Sequence, residues 1–436
     1  MKYILAIVLN FLLLTGLFAQ NTQNIVTTDI DNFWSAYDKI ITTKDNAEQL
    51  EYLNKLFIEK GTLGLKGIMQ AREYTPQEYV DAINKYPLFW KSIRENTLKA
   101  KSFAKEIEIG ISRLKKLYPE LKPANIYFTI GVLRTGGTTI GNNVLIGSEI
   151  SLADENTDIS ELPENFNNLK TYFKSNPING IVFANVHEFV HTQQKTTVCD
   201  NLLGQSVMEG VAEFLATKAL ETPSGSPAIA YGKSNEPKIK NAFAGEMFNP
   251  FYGFWLYSNA QNEFNTRDLG YYVGYTIAEK FYEKAKDKKL AVKEMIELDY
   301  NNPVLLAKYV DKSGYFPKSI KKYAKEFEKN RPRVINIKPF KNGDKKVSPN
   351  ITELTVEFSK EMNKNFRNFE FGQLGKDASL KIKRVIGFSG DGKSISIEIE
   401  PLQANKHYQI VIGGGFRDKA GISLKPYLID FTTANK

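Results

Sequence analysis

The sequence predicts an α+β protein in two parts: a mainly helical domain with a small β-sheet, followed by an all-β sandwich. Three observations predict it. Apolar residues recur at helical spacing through most of residues 28–330. Two short β-rich runs, Ile126-Tyr127-Phe128-Thr129-Ile130 and Val144-Leu145-Ile146-Gly147, interrupt that pattern. After Arg331-Pro332-Arg333 the composition turns to short β-type runs separated by turn signals such as Asn342-Gly343 and Ser389-Gly390-Asp391-Gly392. The expected division is a leader over 1–19, a first domain over 20–331 and a sandwich over 332–436.

The leader reading rests on Lys2, the apolar run Ile4 to Leu14, and Leu17-Phe18-Ala19, which ends in the small residue a signal peptidase requires. The apolar run is short for a membrane span, so export with cleavage near Gln20 is expected. No later stretch is long and apolar enough to span a bilayer. Hydrophobic residues make up 42% and charged residues 25%, an ordinary globular balance under which disorder is not the default reading. Cys199 is the only cysteine, so no intrachain disulfide supports the fold and the cores must suffice. The net charge of +9 comes from Lys spread widely, with no basic stripe on a nucleic-acid-binding motif; no nucleic-acid partner is expected.

Residues 28–120 read as helical. Asp29 and Asp31 precede Phe33-Trp34 as a cap, and Leu50, Leu53, Leu56 and Phe57 share one face. Thr75-Pro76-Gln77-Glu78 is a capping-box start. Ile93 to Leu117 is amphipathic and is stopped by Pro119. Gly131 to Asn143, rich in Gly and Thr, reads as a loop between two strands. Further helices are expected over 163–175, 179–194, 202–220, 268–284, 289–298 and 317–330, with a loop over 221–237. In the tail, strands are expected at 334–337, 353–358, 380–385, 394–399 and 407–412.

The helix over 179–194 contains His187-Glu188-Phe189-Val190-His191. Histidines four apart project from one helix face, one turn apart, where both can reach one Zn²⁺. Glu188 stands beside that position as general base for a zinc-activated water. The chain holds only 3 His, and the third, His407, lies in the tail. The third ligand is therefore expected to be a carboxylate on the next helix. Glu209, 18 positions after His191, is the first choice, with Glu213 as its rival or, one turn on, as the acceptor for a ligating imidazole. Gly210 and Ala212 are expected to let that helix pack closely on the motif helix. Cys199 reads as a small buried apolar residue rather than a ligand.

HEFVH followed by MEGVAEF resembles the gluzincin branch of zinc metallopeptidases, in which HExxH precedes a ligand Glu on a following helix. The spacing is slightly short and Met208 stands where Asn is usual. In the thermolysin type an acidic residue four after the ligand Glu holds a His, a place that Glu213 matches. More widely, Phe33-Trp34, Gly136-Gly137-Thr138-Thr139, Ile146-Gly147, the HExxHxxQ run ending at Gln194, and Tyr271-Tyr272-Val273-Gly274-Tyr275 resemble predicted zinc-dependent proteases of the gliding-motility lipoprotein B type. The lipobox Cys of that family is missing, so lipid anchoring is not implied. The resemblance implies a zincin-like fold, an edge strand for substrate supplied by Val144 to Ile150 or by Ile126 to Ile130, and a Tyr stabilising the oxyanion. Tyr271 matches best, with Tyr275 on the same helix face. Arg267 reads as a solvated residue rather than a binder of substrate carboxylate.

The tail resembles bacterial Ig-like domains through Glu357-Phe358-Ser359-Lys360-Glu361-Met362, Pro401-Leu402 with Tyr408, Asp418 with Gly421, and Phe431-Thr432-Thr433. Such domains imply a spacer or adhesion role and association with an envelope or cell surface, and they make His407 a sandwich residue. Together these readings predict an exported zinc metallopeptidase acting on a peptide or protein substrate. The alternative is a non-catalytic, exported envelope or gliding-associated binding protein that retains the zincin fold.

Overall fold

The computed structural model describes residues 25–258 and 262–435. The leader reading of 1–19 lies outside the described residues. Six helices open the first domain: α1 Thr28–Ile40, α2 Asn46–Leu53, α3 Leu63–Arg72, α4 Pro76–Lys85, α5 Pro87–Leu98 and α6 Ala104–Leu117. Nine more follow: α7 Ser148–Ser151, α8 Asn167–Phe173, α9 Ile181–His191, α10 Leu202–Leu220, α11 Pro227–Glu246, α12 Leu269–Lys284, α13 Lys288–Ile296, α14 Pro303–Ser313 and α15 Ile320–Asn330. A small mixed sheet of β1 Ile25–Val26, β2 Asn125–Thr129, β3 Gly137–Ile140 and β4 Asn143–Gly147 lies among them, in the order β1-β2-β4-β3. β1, β2 and β4 are parallel, and β3 returns antiparallel to β4.

Local chemistry explains most helix ends. Thr75 and Glu78 close the expected capping box at α4. Asp29 does not cap α1. It is buried inside that helix and accepts from the Thr62 backbone amide at 2.9 Å and the Thr62 hydroxyl at 2.6 Å, tying α1 to the cap of α3. Residues 227–236, expected as loop, begin α11 with Pro227 in the first turn. Pro237 then bends the helix, leaving Asn235 at φ −129°. The Gly-Thr run expected as loop contains β3, whose amides pair with β4 from Gly137 to Ile140.

The tail forms two antiparallel sheets. One has the order β5-β6-β9-β8, built from β5 Val334–Lys338, β6 Glu353–Phe358, β8 Ile382–Phe388 and β9 Ser394–Ile399. The other has the order β11-β10-β7, built from β7 Phe369–Glu370, β10 His407–Ile412 and β11 Tyr427–Thr432. The core follows this division. One apolar cluster runs from Ile30 to Ile320, and a separate one, including Leu354, Ile397, Ile412 and Phe431, fills the sandwich. Among the described residues no helix is long and apolar enough to cross a membrane.

Glycine sets how α10 sits. A Cβ on Gly210 would lie 2.0 Å from the Gly274 carbonyl carbon, and one on Gly274 would lie 1.7 Å from the Ser206 carbonyl oxygen. The two backbones of α10 and α12 therefore touch, and Gly210 serves α12 rather than the motif helix α9. On the other side α9 leans on α6, where a Cβ on Gly110 would meet Val186 at 2.7 Å. Gly274→Ala forces backbone apart and is expected to lower stability by about 3 kcal/mol. Urea unfolding followed by circular dichroism measures it, and a midpoint equal to wild type contradicts this packing.

Candidate metal centre

His187 and His191 lie on the last two turns of α9, where buried Val186, Phe189 and Val190 hold the helix into the core. Glu209 faces them from the middle of α10, a helix buried over nearly its whole length. Among the described residues, these three form the group able to hold a metal ion. Their Nε2, Nε2 and Oε2 atoms make a nearly equilateral triangle, with 3.1 Å between the nitrogens and 3.2 Å from each nitrogen to the oxygen. Ligands held at about 2.1 Å around tetrahedral zinc stand roughly 3.4 Å apart, so the donor set has the size and chemistry for that ion.

The hydrogen-bond directions show what those atoms carry. The Tyr300 hydroxyl donates to the Met295 carbonyl at 2.7 Å, leaving its lone pair to accept from Gln194 Nε2 at 3.0 Å. The same Gln194 nitrogen donates to the Met208 carbonyl at 3.0 Å. The amide oxygen of Gln194 must then face His191 Nδ1, 2.6 Å away, and an amide oxygen only accepts. His191 therefore carries its proton on Nδ1 and presents a bare Nε2. His187 Nδ1 lies 2.9 Å from Glu213 Oε2, an oblique contact outside hydrogen-bond geometry that favours the same tautomer through charge. The Ser224 hydroxyl donates to the other Glu213 oxygen. Three lone pairs thus converge in a buried space.

Such a cluster attracts positive charge, and the titration shifts show it. Burial alone would lower the His187 pKa, but the Glu209 and Glu213 carboxylates outweigh it and hold it well above the usual imidazole range. His191 is raised on the same grounds, against burial and its neighbour His187. Glu209, which burial would raise, is held well below the carboxylate range by the two imidazoles.

Glu188 is half-buried beside β3, and its Oε2 accepts from the Thr139 hydroxyl at 2.8 Å. Its charge reaches both His191 and Tyr271. The Tyr271 ring lies 6.1 Å from the His187 ring, and burial first, then Glu209, pushes its phenol far above the ordinary range, so it stays protonated. Tyr275 turns away and packs on Phe214 at 5.7 Å. The strands at 126–130 and 144–147 are each flanked on both sides, so neither is an edge; the edge beside Glu188 is β3. Arg267 pairs with Asp268 at 2.6 Å, and His407 with Asp430 at 3.0 Å inside the sandwich. Cys199 is buried, and burial pushes its thiol up to about 12.

Three contributors escaped the sequence reading, one of them Thr139, which stood in a run expected as loop. Gln194 was visible only as part of a motif run, although its place three residues after His191 puts it next to that ring. Tyr257 carried no signal. Its hydroxyl donates to Glu209 Oε1 from 48 positions further along the chain.

Residues 328–433 match the family described as "Bacterial Ig-like domain". No curated protein matches the chain in sequence. Among solved structures, the chain is similar to the S-layer protein rSbsC at 12% identity, covering 94% of this chain and 45% of that one, with a TM-score of 0.19. The N-terminal part of the bacterial S-layer protein SbsC is similar at 13% identity, over 93% of this chain and 71% of that one, at 0.18. The chain thus spans under half of the first of these, and at such scores neither assigns a fold.

Metal binding needs both imidazoles neutral. Because their pKa values are raised, zinc affinity is expected to fall as pH drops through and from above about 6.5, with protons released on binding near pH 7. Calorimetry in buffers of different ionisation enthalpy measures that release, and an affinity flat across this range contradicts the raised imidazole pKa values. Gln194→Ala frees the His191 ring and is expected to weaken zinc binding about tenfold in a chelator competition.

Proposed function

We propose that the protein is an exported zinc metallopeptidase with a zincin-like helical domain and a C-terminal Ig-like domain. The observation that carries this reading is the convergence of His187 Nε2, His191 Nε2 and Glu209 Oε2 within 3.2 Å, with Glu188 on the helix of the two histidines. Two histidines and one carboxylate leave a fourth position of a tetrahedral ion for water or substrate, the pattern of catalytic rather than structural zinc. Zinc held there supplies a Lewis acid that polarises a carbonyl and acidifies water.

The chain's own residues do the rest. β3 pairs with β4 along one side, and among the described residues no strand covers its other side. An extended peptide added to that edge lies alongside Glu188, because Thr139 of β3 already touches the Glu188 carboxylate. Glu188 takes the proton of the attacking water and returns it to the leaving amine. Thr139 holds one Glu188 oxygen, which leaves the other for that transfer. Tyr271, kept protonated, donates its O–H to the oxyanion as it forms.

The test pairs metal analysis with cleavage. Wild type and Glu188→Gln are both expected to hold one zinc per chain, while Glu188→Gln loses peptide-library cleavage by about 10²- to 10⁴-fold. Zinc at full stoichiometry with no cleavage of any peptide by wild type overturns the peptidase reading and leaves a non-catalytic exported binding protein.

A further inference from the structure

We propose that the Ig-like domain is a working part of the metal centre: through the segment 246–258 it places the Tyr257 hydroxyl on Glu209 and so sets how that carboxylate holds its ion. The inference rests on the zinc reading above and adds to it a positioning residue and the domain contact that aims it.

The argument starts at Glu209. A carboxylate with both oxygens free can take two coordination positions, including the one a substrate needs. Here Oε1 is engaged by the Tyr257 hydroxyl, and only Oε2 faces the histidines. The direction is fixed. Gln205 accepts on its amide oxygen from the Cys199 backbone amide at 2.8 Å, and its amide nitrogen donates to the Thr197 carbonyl at 3.1 Å. Its amide nitrogen therefore faces Tyr257 and donates to that hydroxyl at 2.8 Å. The phenol proton is left for Glu209.

Tyr257 reaches this place at a conformational cost. Its backbone sits at φ +59°, a region that L-residues with large side chains avoid and that persists only where the surroundings impose it. Besides the phenol contacts, its amide donates to Asp268 at 2.7 Å.

The other end of the segment is held by the sandwich. Asn249 is fully buried: its side-chain nitrogen donates to the Gly421 carbonyl at 3.0 Å, and its side-chain oxygen accepts from the Ser423 amide at 3.1 Å. The Asn249 and Met247 carbonyls meanwhile accept from the Leu202 and Leu203 amides at 3.0 and 2.8 Å, capping the helix that carries Glu209. Two residues on, Phe251 lies under the Arg417 guanidinium at 3.3 Å, with Phe366 on that group at 3.9 Å. A passive spacer needs no buried residue whose side chain bonds to its own loop while its backbone carbonyl caps the ligand-bearing helix.

The test uses the full chain, zinc affinity by chelator competition, and the visible spectrum of the cobalt(II)-loaded protein, which reports coordination number. Tyr257→Phe is expected to bind zinc about tenfold more weakly and to alter the cobalt bands. Arg417→Ala, in the sandwich, is expected to shift both readouts the same way, by about threefold in affinity. The double variant should be no weaker than Tyr257→Phe, because both act through one path. Lys383→Ala, which removes an exposed ion pair with Glu398 between β8 and β9 inside the sandwich, should match wild type. Should Arg417→Ala melt below the assay temperature, Phe251→Leu removes the same stacking and is expected to behave alike. Wild-type affinity and spectrum in Tyr257→Phe or in Arg417→Ala, or full additivity, overturns the inference while leaving the zinc site standing. A wild type that binds no zinc defeats the earlier reading instead.

Discussion

Three lone pairs pointing into one buried space are a constraint that a fold does not adopt for stability. A buried acceptor without a donor costs about 1–3 kcal/mol, and neighbouring acceptors repel one another further in a medium of low polarity. The His187, His191 and Glu209 atoms stand 3.1–3.2 Å apart, which only a shared proton or a cation makes favourable. The raised imidazoles and the depressed carboxylate are two views of that demand. Much of the helical domain serves to keep these atoms from drifting apart.

It does so in two ways. The first is a chain of directed hydrogen bonds: Met295 accepts from Tyr300, Tyr300 from Gln194, and Gln194 from His191. Each link has only one sense that satisfies its neighbours, so a carbonyl in the last turn of α13 decides which nitrogen of His191 is bare. The second is steric. The contact of Gly210 with Gly274 brings α10 against α12 at backbone distance, and α12 carries Tyr271 to the site. Any side chain at that crossing moves a ligand and a phenol together.

Legibility in the sequence follows from how local each cause is. The i, i+4 pair and its intervening Glu188 are a local pattern on one helix, and α9 and α10 could be read from their apolar content. Glu209 was reachable by elimination, since His407 belongs to the tail. Thr139 and β3 were hidden because a Gly-Thr run has no apolar alternation, and only pairing with β4 makes it a strand. Pro237 concealed α11, because a helix bent at a proline reads as two short fragments with a break. Tyr257 was hidden for a deeper reason. Its backbone conformation runs against its own propensity, and nothing within several residues of it predicts a contact with α10.

That last case bears on how the two domains relate. An Ig-like domain matched over 328–433 can be appended to many chains as a spacer, and its own core is separate from the helical one. Yet Asn249 joins the sandwich to the amides at the start of α10, and Arg417 stacks on the same segment. The strain at Tyr257 must be balanced by contacts on both sides of it. On the site side these are Glu209, Gln205 and Asp268; toward the segment's start the anchors lie on the sandwich. A segment held at both ends transmits position, whereas one held at a single end would relax its left-handed residue and release Oε1. With Oε1 released, Glu209 becomes free to close the coordination position that the proposed hydrolysis would need. The separation of the two cores therefore does not make the two domains independent.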